Sequence, residues 1–182
     1  VVSLVKDEES DEKVFVWREA NGSTHTVTGK YNKLIFDMDS YTGNMNINNN
    51  SKVGINAING STINMTSMTV VSENNDMLYL SEGSKLNVES SSIVIKSVKS
   101  DAAIKVETGI SEINFVNSVA EILDEGKCLI KVENGARADI LVNNSRLDGK
   151  IFRDNGGTTN VTLTNKGRLA NAKGSVISKL TT

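Results

Sequence analysis

The feature that most constrains this chain is a six-residue pattern that returns at a nearly fixed interval. Residues 104–109 (Ile-Lys-Val-Glu-Thr-Gly) and 130–135 (Ile-Lys-Val-Glu-Asn-Gly) lie twenty-six positions apart. Residues 78–83 stand twenty-six positions before the first copy, and residues 55–60 twenty-three positions before those. Each copy places apolar residues two positions apart and ends in glycine, which predicts a short strand followed by a turn.

Two further sets of apolar residues follow each glycine and recur with it. We call the strand before the glycine the first column of the repeat, and these two sets the second and third columns. In the second column an Asn or Asp separates two apolar residues; its copies are 45–47, 63–65, 86–88, 113–115 and 138–140, with 159–161 as a copy that begins with Thr. The third column is weaker and pairs Met68 with Val70, Ile93 with Ile95, Val119 with Ile122, and Leu147 with Ile151. Because the spacing of the third column varies most, we expect insertions there.

Three short strands in one repeat cannot bury their apolar face alone, so successive repeats must stack. We therefore predict an all-β fold, a right-handed parallel β-helix of about six coils of roughly 23–26 residues, with coils about 4.8 Å apart. The absence of proline agrees with strands that have neighbours on both sides. In this arrangement Ile104, Val106, Ile130 and Val132 point inward, and Lys105 and Lys131 point outward.

The repeat divides the chain into three parts. Residues 1–13 carry an acidic run and are predicted to be a flexible N-terminal segment. Residues 14–42 contain five of the eight aromatic side chains and are predicted to form an N-terminal cap and the first coil. Residues 43–182 are predicted to form the parallel β-helix.

Charge and cysteine content limit the classes of function. The net charge of −2 indicates no nucleic-acid partner, and no apolar run approaches the length of about 20 residues that spans a bilayer. The single cysteine, Cys128, excludes an intrachain disulfide and is predicted to be a buried thiol.

With the repeat established, the chain resembles the passenger domains of bacterial autotransporters (type V secretion), which are pertactin-like right-handed β-helices. The resemblance covers about residues 43–180, and residues 161–169 (Val-Thr-Leu-Thr-Asn-Lys-Gly-Arg-Leu) are similar to a strand, Asn-Gly corner and next strand that recur in those passengers. It implies a secreted or cell-surface virulence factor, most often an adhesin, and an outer-membrane translocator barrel in the full-length precursor. A released growth-factor-like ligand of a host endothelial receptor is the alternative within that family.

The sequence holds no catalytic or metal-binding motif, so we predict a protein that is not an enzyme and has no cofactor. His25 is the only histidine, and no Gly-x-Ser-x-Gly motif accompanies it. The same fold carries polysaccharide lyases and hydrolases, which is the alternative from another functional class. Asp37 and Asp39 could begin a carboxylate cluster of that kind, but a solvated acidic edge is the favoured interpretation.

Residues 146–154 combine basic, acidic and aromatic side chains in one predicted irregular segment of the third column. Loops on a rigid scaffold often carry binding, so this segment is the candidate binding site. Its partner is predicted to be a host cell-surface protein or glycan. The candidate binding residues are Arg146, Asp148, Lys150, Phe152 and Arg153.

Overall fold

The computed structural model describes strands within residues 3–72 and the continuous stretch 77–182, with side chains at residues 62–65 and 77–182. The described residues form a parallel β-solenoid of about four turns and contain no helix. This confirms the predicted fold class. The further coils of the predicted six fall upstream of residue 77, where only separate strands are described.

Three parallel sheets form the sides of the solenoid, one for each predicted column. Sheet I contains, in spatial order, β18 (Lys150–Arg153), β15 (Cys128–Val132), β12 (Ala102–Thr108), β9 (Leu78–Ser81) and β6 (Ile55–Ala57). Sheet II contains β21 (Lys179–Thr181), β19 (Thr158–Thr164), β16 (Arg137–Asn143), β13 (Ile110–Val116), β10 (Lys85–Glu89), β7 (Thr62–Thr66), β5 (Asn44–Asn48) and β3 (His25–Thr28). Sheet III contains β20 (Arg168–Ala170), β17 (Arg146–Asp148), β14 (Val119–Ile122), β11 (Ser92–Ile95) and β8 (Thr69–Ser72).

A fourth sheet has three strands, and β3 of sheet II falls between two of them in the chain. Its strands are β1 (Ser3–Lys6), β2 (Lys13–Trp17) and β4 (Lys33–Phe36). Strand β1 pairs antiparallel with β2, whereas β2 and β4 are parallel. Among the residues that the structure describes, no helix is long and apolar enough to cross a membrane.

The register between β12 and β15 of sheet I is the predicted one. Ile104 pairs with Ile130, Lys105 with Lys131, and Val106 with Val132, and the four apolar side chains are fully buried. The turns after these strands use left-handed glycines, as the sequence predicted: φ is 73° at Gly60, 84° at Gly83, 67° at Gly109 and 79° at Gly135.

One copy of the second column lies in a different register from the prediction. Asn114 on β13 pairs with Leu141 on β16, and Asp139 pairs with Glu112. The predicted match of 113–115 with 138–140 is therefore wrong by two residues. A shift of two leaves every side chain on the same face of the strand, so the buried column remains continuous.

The third column also differs from the prediction. Ala120, not Val119, lies in the buried row with Ile93 and Leu147, and Val119 is exposed. Ile151 lies in sheet I, where it pairs with Ile130. Met68 lies outside the described residues.

The connection between sheets III and I becomes very short at the segment 146–154. Earlier coils use residues 96–101 and 123–127 there, whereas Gly149 alone joins β17 to β18. The prediction of an irregular insertion at 146–154 is thus wrong, because the segment is two regular strands with a one-residue corner.

Candidate functional site

The corner at Gly149 divides the five predicted binding residues between two sides of the solenoid. Arg146 and Asp148 lie on β17 in sheet III, and Lys150, Phe152 and Arg153 lie on β18 in sheet I. They do not form one loop. Each group has a separate environment.

Asp148 is buried, and its carboxylate is bound by neighbouring side chains. Its carboxylate pairs with Arg146, two residues before it on the same strand. It also accepts a hydrogen bond of 2.6 Å from Asn171 Nδ2. Because both carboxylate oxygens are engaged and the side chain is buried, Asp148 orients Arg146 and stays away from solvent.

Phe152 ends an outward row on sheet I. The row runs Tyr79, Lys105, Lys131, Phe152 in consecutive coils. Lys105 Nζ lies 5.7 Å from the centre of the Tyr79 ring, and Lys150 Nζ lies 5.5 Å from that of Phe152. Aromatic rings thus flank the two lysines at both ends of the row.

The two stacked lysines are held by carboxylates, which offsets the repulsion between like charges. Lys105 Nζ and Lys131 Nζ each lie 2.7 Å from a carboxylate oxygen of Asp101. Lys131 Nζ also lies 3.2 Å from Glu133 Oε1 and 3.6 Å from Asp154 Oδ2. These five side chains form a compensated network on sheet I.

The pKa values follow from this network. Burial alone would raise the pKa of Asp101, but hydrogen bonds from Lys105 and Lys131, together with their charges, hold it well below its usual range. The hydrogen bond to Asp101 raises the pKa of Lys131 despite burial. Burial raises the pKa of Glu133, and its hydrogen bond with Asp154 raises it further, against the effect of Lys131.

A cleft lies at the corner where the chain passes from sheet II to sheet III. Arg146, the first residue of β17, stands at this corner, away from sheet I. Its cavity volume is about 400 Å³. Three successive coils contribute side chains to it. The lining residues are Asn117, Ser118, Val119, Asn144, Ser145, Arg146, Lys166 and Arg168.

Left-handed residues and a serine ladder build this corner. Asn117 and Asn144 have φ of 49° and 45°, and Asn144 Nδ2 donates a 2.8 Å hydrogen bond to Asn117 Oδ1. The Ser118 N–H donates to Ser145 Oγ at 2.9 Å, and the Ser91 N–H donates to Ser118 Oγ at 3.0 Å. The stacked backbones are therefore fixed, and the asparagine amides line the rim.

Two cations at this cleft have no carboxylate partner. Lys166 and Arg168 are exposed, and neither makes an ion pair with any side chain that the structure describes. Arg168 pairs in register with Arg146, so two guanidinium groups start from adjacent coils. The cleft is thus a positively charged recess suited to an anionic group.

The sequence interpretation named Arg146 but missed Lys166 and Arg168. The available signal was local charge, because residues 146–182 contain seven Lys or Arg and only two Asp or Glu. The net charge of −2 for the whole chain conceals the excess of basic residues in this segment.

The remaining sequence candidates do not join a site. Cys128 is buried as predicted, and burial raises the pKa of its thiol. Within the described part of the chain, no group of three or more His, Cys, Asp or Glu side chains could hold a metal ion. Asp37 and Asp39 lie outside the described residues, and so does the side chain of His25, the first residue of β3.

No protein family, curated protein or solved structure matches this chain. The features of this molecule that bear on its function are therefore the solenoid and the cleft.

Proposed function

We propose that this chain is a bacterial passenger domain of the autotransporter type, secreted or displayed at the cell surface, that binds an anionic component of a host-cell surface. The observation that carries the binding proposal is the corner cleft with two unpaired cations. On sheet I, Lys105 and Lys131 are already neutralised by Asp101, Glu133 and Asp154, so these two lysines offer less to an incoming anion.

The chemistry of the cleft favours a sulfated or carboxylated glycan. A guanidinium group binds sulfate or carboxylate through two parallel hydrogen bonds, and the amides of Asn117 and Asn144 can bind sugar hydroxyls. The cavity volume of about 400 Å³ falls in the range of small-ligand pockets. Val119 is the only apolar side chain in the lining. This disfavours a protein partner that would bind by inserting aromatic side chains into the cleft.

Retention of purified protein on host cells tests the proposal. The double variant Lys166→Ala, Arg168→Ala should bind endothelial, epithelial or matrix-coated surfaces about tenfold more weakly, equivalent to about 1.4 kcal/mol. The matched control Lys173→Ala, Lys179→Ala removes the same charge from exposed positions outside the cleft and should bind like the native chain. Equal loss in both variants, or no saturable binding of the native chain, would contradict the proposal.

The growth-factor alternative predicts an additional response. Soluble native protein would then trigger receptor phosphorylation on endothelial cells, whereas an adhesin would be retained without it. Measuring both in the same cells separates the two functions.

Glycan cleavage is a second candidate with one observation in its favour. The carboxylates of Glu133 and Asp154 both lie beside Lys131 Nζ, at 3.2 and 3.6 Å, and burial raises the pKa of Glu133, so an acid and a base of the kind that cleave glycans share this surface. Turnover of acidic glycans that is lost in Glu133→Gln and kept in the exposed control Glu112→Gln would support this function. Absence of turnover by the native chain would exclude it for the glycans assayed.

A further inference from the structure

Two Asn-Gly pairs occupy stacked turns at the corner between sheets I and II. In the first turn the Ala136 N–H donates to the Glu133 carbonyl at 3.1 Å; in the second the Gly157 N–H donates to the Asp154 carbonyl at 2.9 Å. Asn134 and Asn155 therefore hold the same place in stacked turns, and both are exposed, but only the first turn has a left-handed glycine, Gly135.

Stacking makes the two turns chemically different. The Gly135 N–H donates a 3.1 Å hydrogen bond to the Gly156 carbonyl of the next coil. The Gly156 N–H has no acceptor among the described residues. The Asn134 side chain also packs against Gly156 so closely that a Cβ at position 156 would overlap Asn134 Oδ1. The Asn155 side chain makes no hydrogen bond in the described part of the chain.

We propose that Asn155 is a site of spontaneous deamidation and that the hydrogen bond from Gly135 to the next coil, in a turn whose glycine has a left-handed φ of 79°, protects Asn134 from the same reaction. The Gly156 backbone nitrogen loses its proton to hydroxide and attacks Cγ of Asn155, and a succinimide ring forms. The bond from Cγ to the amide nitrogen breaks, and ammonia leaves with a proton from water. Water then opens the ring at Cγ to give aspartate, or at the backbone carbonyl to give isoaspartate. No oxidant or reductant takes part.

The reaction needs a free glycine nitrogen and a side chain that can swing toward it. Gly156 has no Cβ to block the approach, and its nitrogen is free. At Asn134 the attacking nitrogen would first have to break its hydrogen bond to the next coil. A hydrogen bond of about 1 kcal/mol corresponds to about a fivefold lower rate.

The isoaspartate product would loosen this corner, because it adds one carbon to the backbone of the turn. Gly157 is buried, and a Cβ there would lie 2.8 Å from the Glu133 carbonyl oxygen, so the longer turn cannot be absorbed on that side. The Gly156 carbonyl is then displaced from Gly135. Hydrogen exchange at the Gly135 N–H should be faster in the purified isoaspartate form than in the unmodified chain.

Peptide mapping of the aged full-length chain tests the proposal, because tryptic peptides 132–137 and 154–166 separate the two sites. In warm, mildly alkaline buffer, conversion of Asn155 to aspartate and isoaspartate should be at least about fivefold faster than that of Asn134. In denaturant the two rates should converge, since both share the Asn-Gly sequence. Asn155→Gln should abolish the change in peptide 154–166. Equal rates in the folded chain, faster reaction at Asn134, or an Asn155 that reacts only in denaturant would overturn the proposal.

Discussion

At the scale of single residues, Gly149 is a position that leaves no room for a side chain. Its φ is 145°, and a Cβ would lie 2.5 Å from Ile122 Cγ2 and 3.0 Å from Leu129 Cβ. Leu129 is fully buried and Ile122 is half-buried against the core, so a new Cβ would displace packed side chains. This glycine therefore permits the one-residue corner between β17 and β18.

We expect Gly149→Ala to lower the free energy of unfolding by about 2–3 kcal/mol, through overpacking and backbone strain. Gly126→Ala is the matched control, because Gly126 has φ of 83° but nothing within 4 Å of a new Cβ. The control should lose only about 1 kcal/mol from strain. Denaturant unfolding measures both, and a similar loss in the two variants would show that the space around Gly149 is not limiting.

Asp101 is the residue whose charge most affects the stability of sheet I. Its folded pKa is lowered, so its contribution is present above the unfolded pKa of about 3.9 and is lost as pH falls through the folded pKa. Asp101→Asn should cost about 1 kcal/mol at neutral pH, a modest value because the carboxylate is half exposed.

The difference in unfolding free energy between native protein and Asp101→Asn should shrink as the pH is lowered below about 4. Glu112→Gln removes an exposed carboxylate that pairs with Lys85 at 2.9 Å and should change stability little at any pH. Denaturant unfolding across this pH range measures both variants. A cost for Asp101→Asn that stays constant with pH would mean that its charge is not the cause.

At the scale of elements, the buried columns could be predicted because each strand alternates inward and outward side chains. The pairing of β12 with β15 in sheet I was predicted residue by residue from the two near-identical copies, whereas β18 was assigned to the third column. Strand β16 was misplaced because Ala138, Ile140 and Val142 are all buried apolar residues two positions apart. A two-residue shift therefore satisfies the same pattern, and only the paired backbones distinguish the registers.

A charge within the buried column should unfold neighbouring coils together. Val106→Asp places a carboxylate where the native side chain is fully buried, which we expect to cost several kcal/mol. Val119→Asp is the control, since Val119 is an exposed residue of β14. Thermal unfolding should show a much lower midpoint for Val106→Asp alone, and an unchanged midpoint would contradict the assigned faces.

At the scale of the whole molecule, the cleft could not be predicted from any motif. Its side chains come from residues 117–119, 144–146 and 166–168, on three coils that meet only when the solenoid is stacked. Positive charge is concentrated in the C-terminal coils, whereas the acidic run of residues 1–12 offsets it in the net charge of the whole chain. Such an uneven distribution can steer an anionic ligand although the net charge is small.

The most direct test of the cleft is calorimetric titration with a size-defined heparan sulfate oligosaccharide. Native protein should bind it at one class of site, and the affinity should fall as salt increases, because exposed charges are screened. Lys166→Ala, Arg168→Ala should weaken binding about tenfold, while Lys173→Ala, Lys179→Ala should match the native affinity. Equal affinities for the two double variants, or an affinity that does not depend on salt, would contradict an anion site in this cleft.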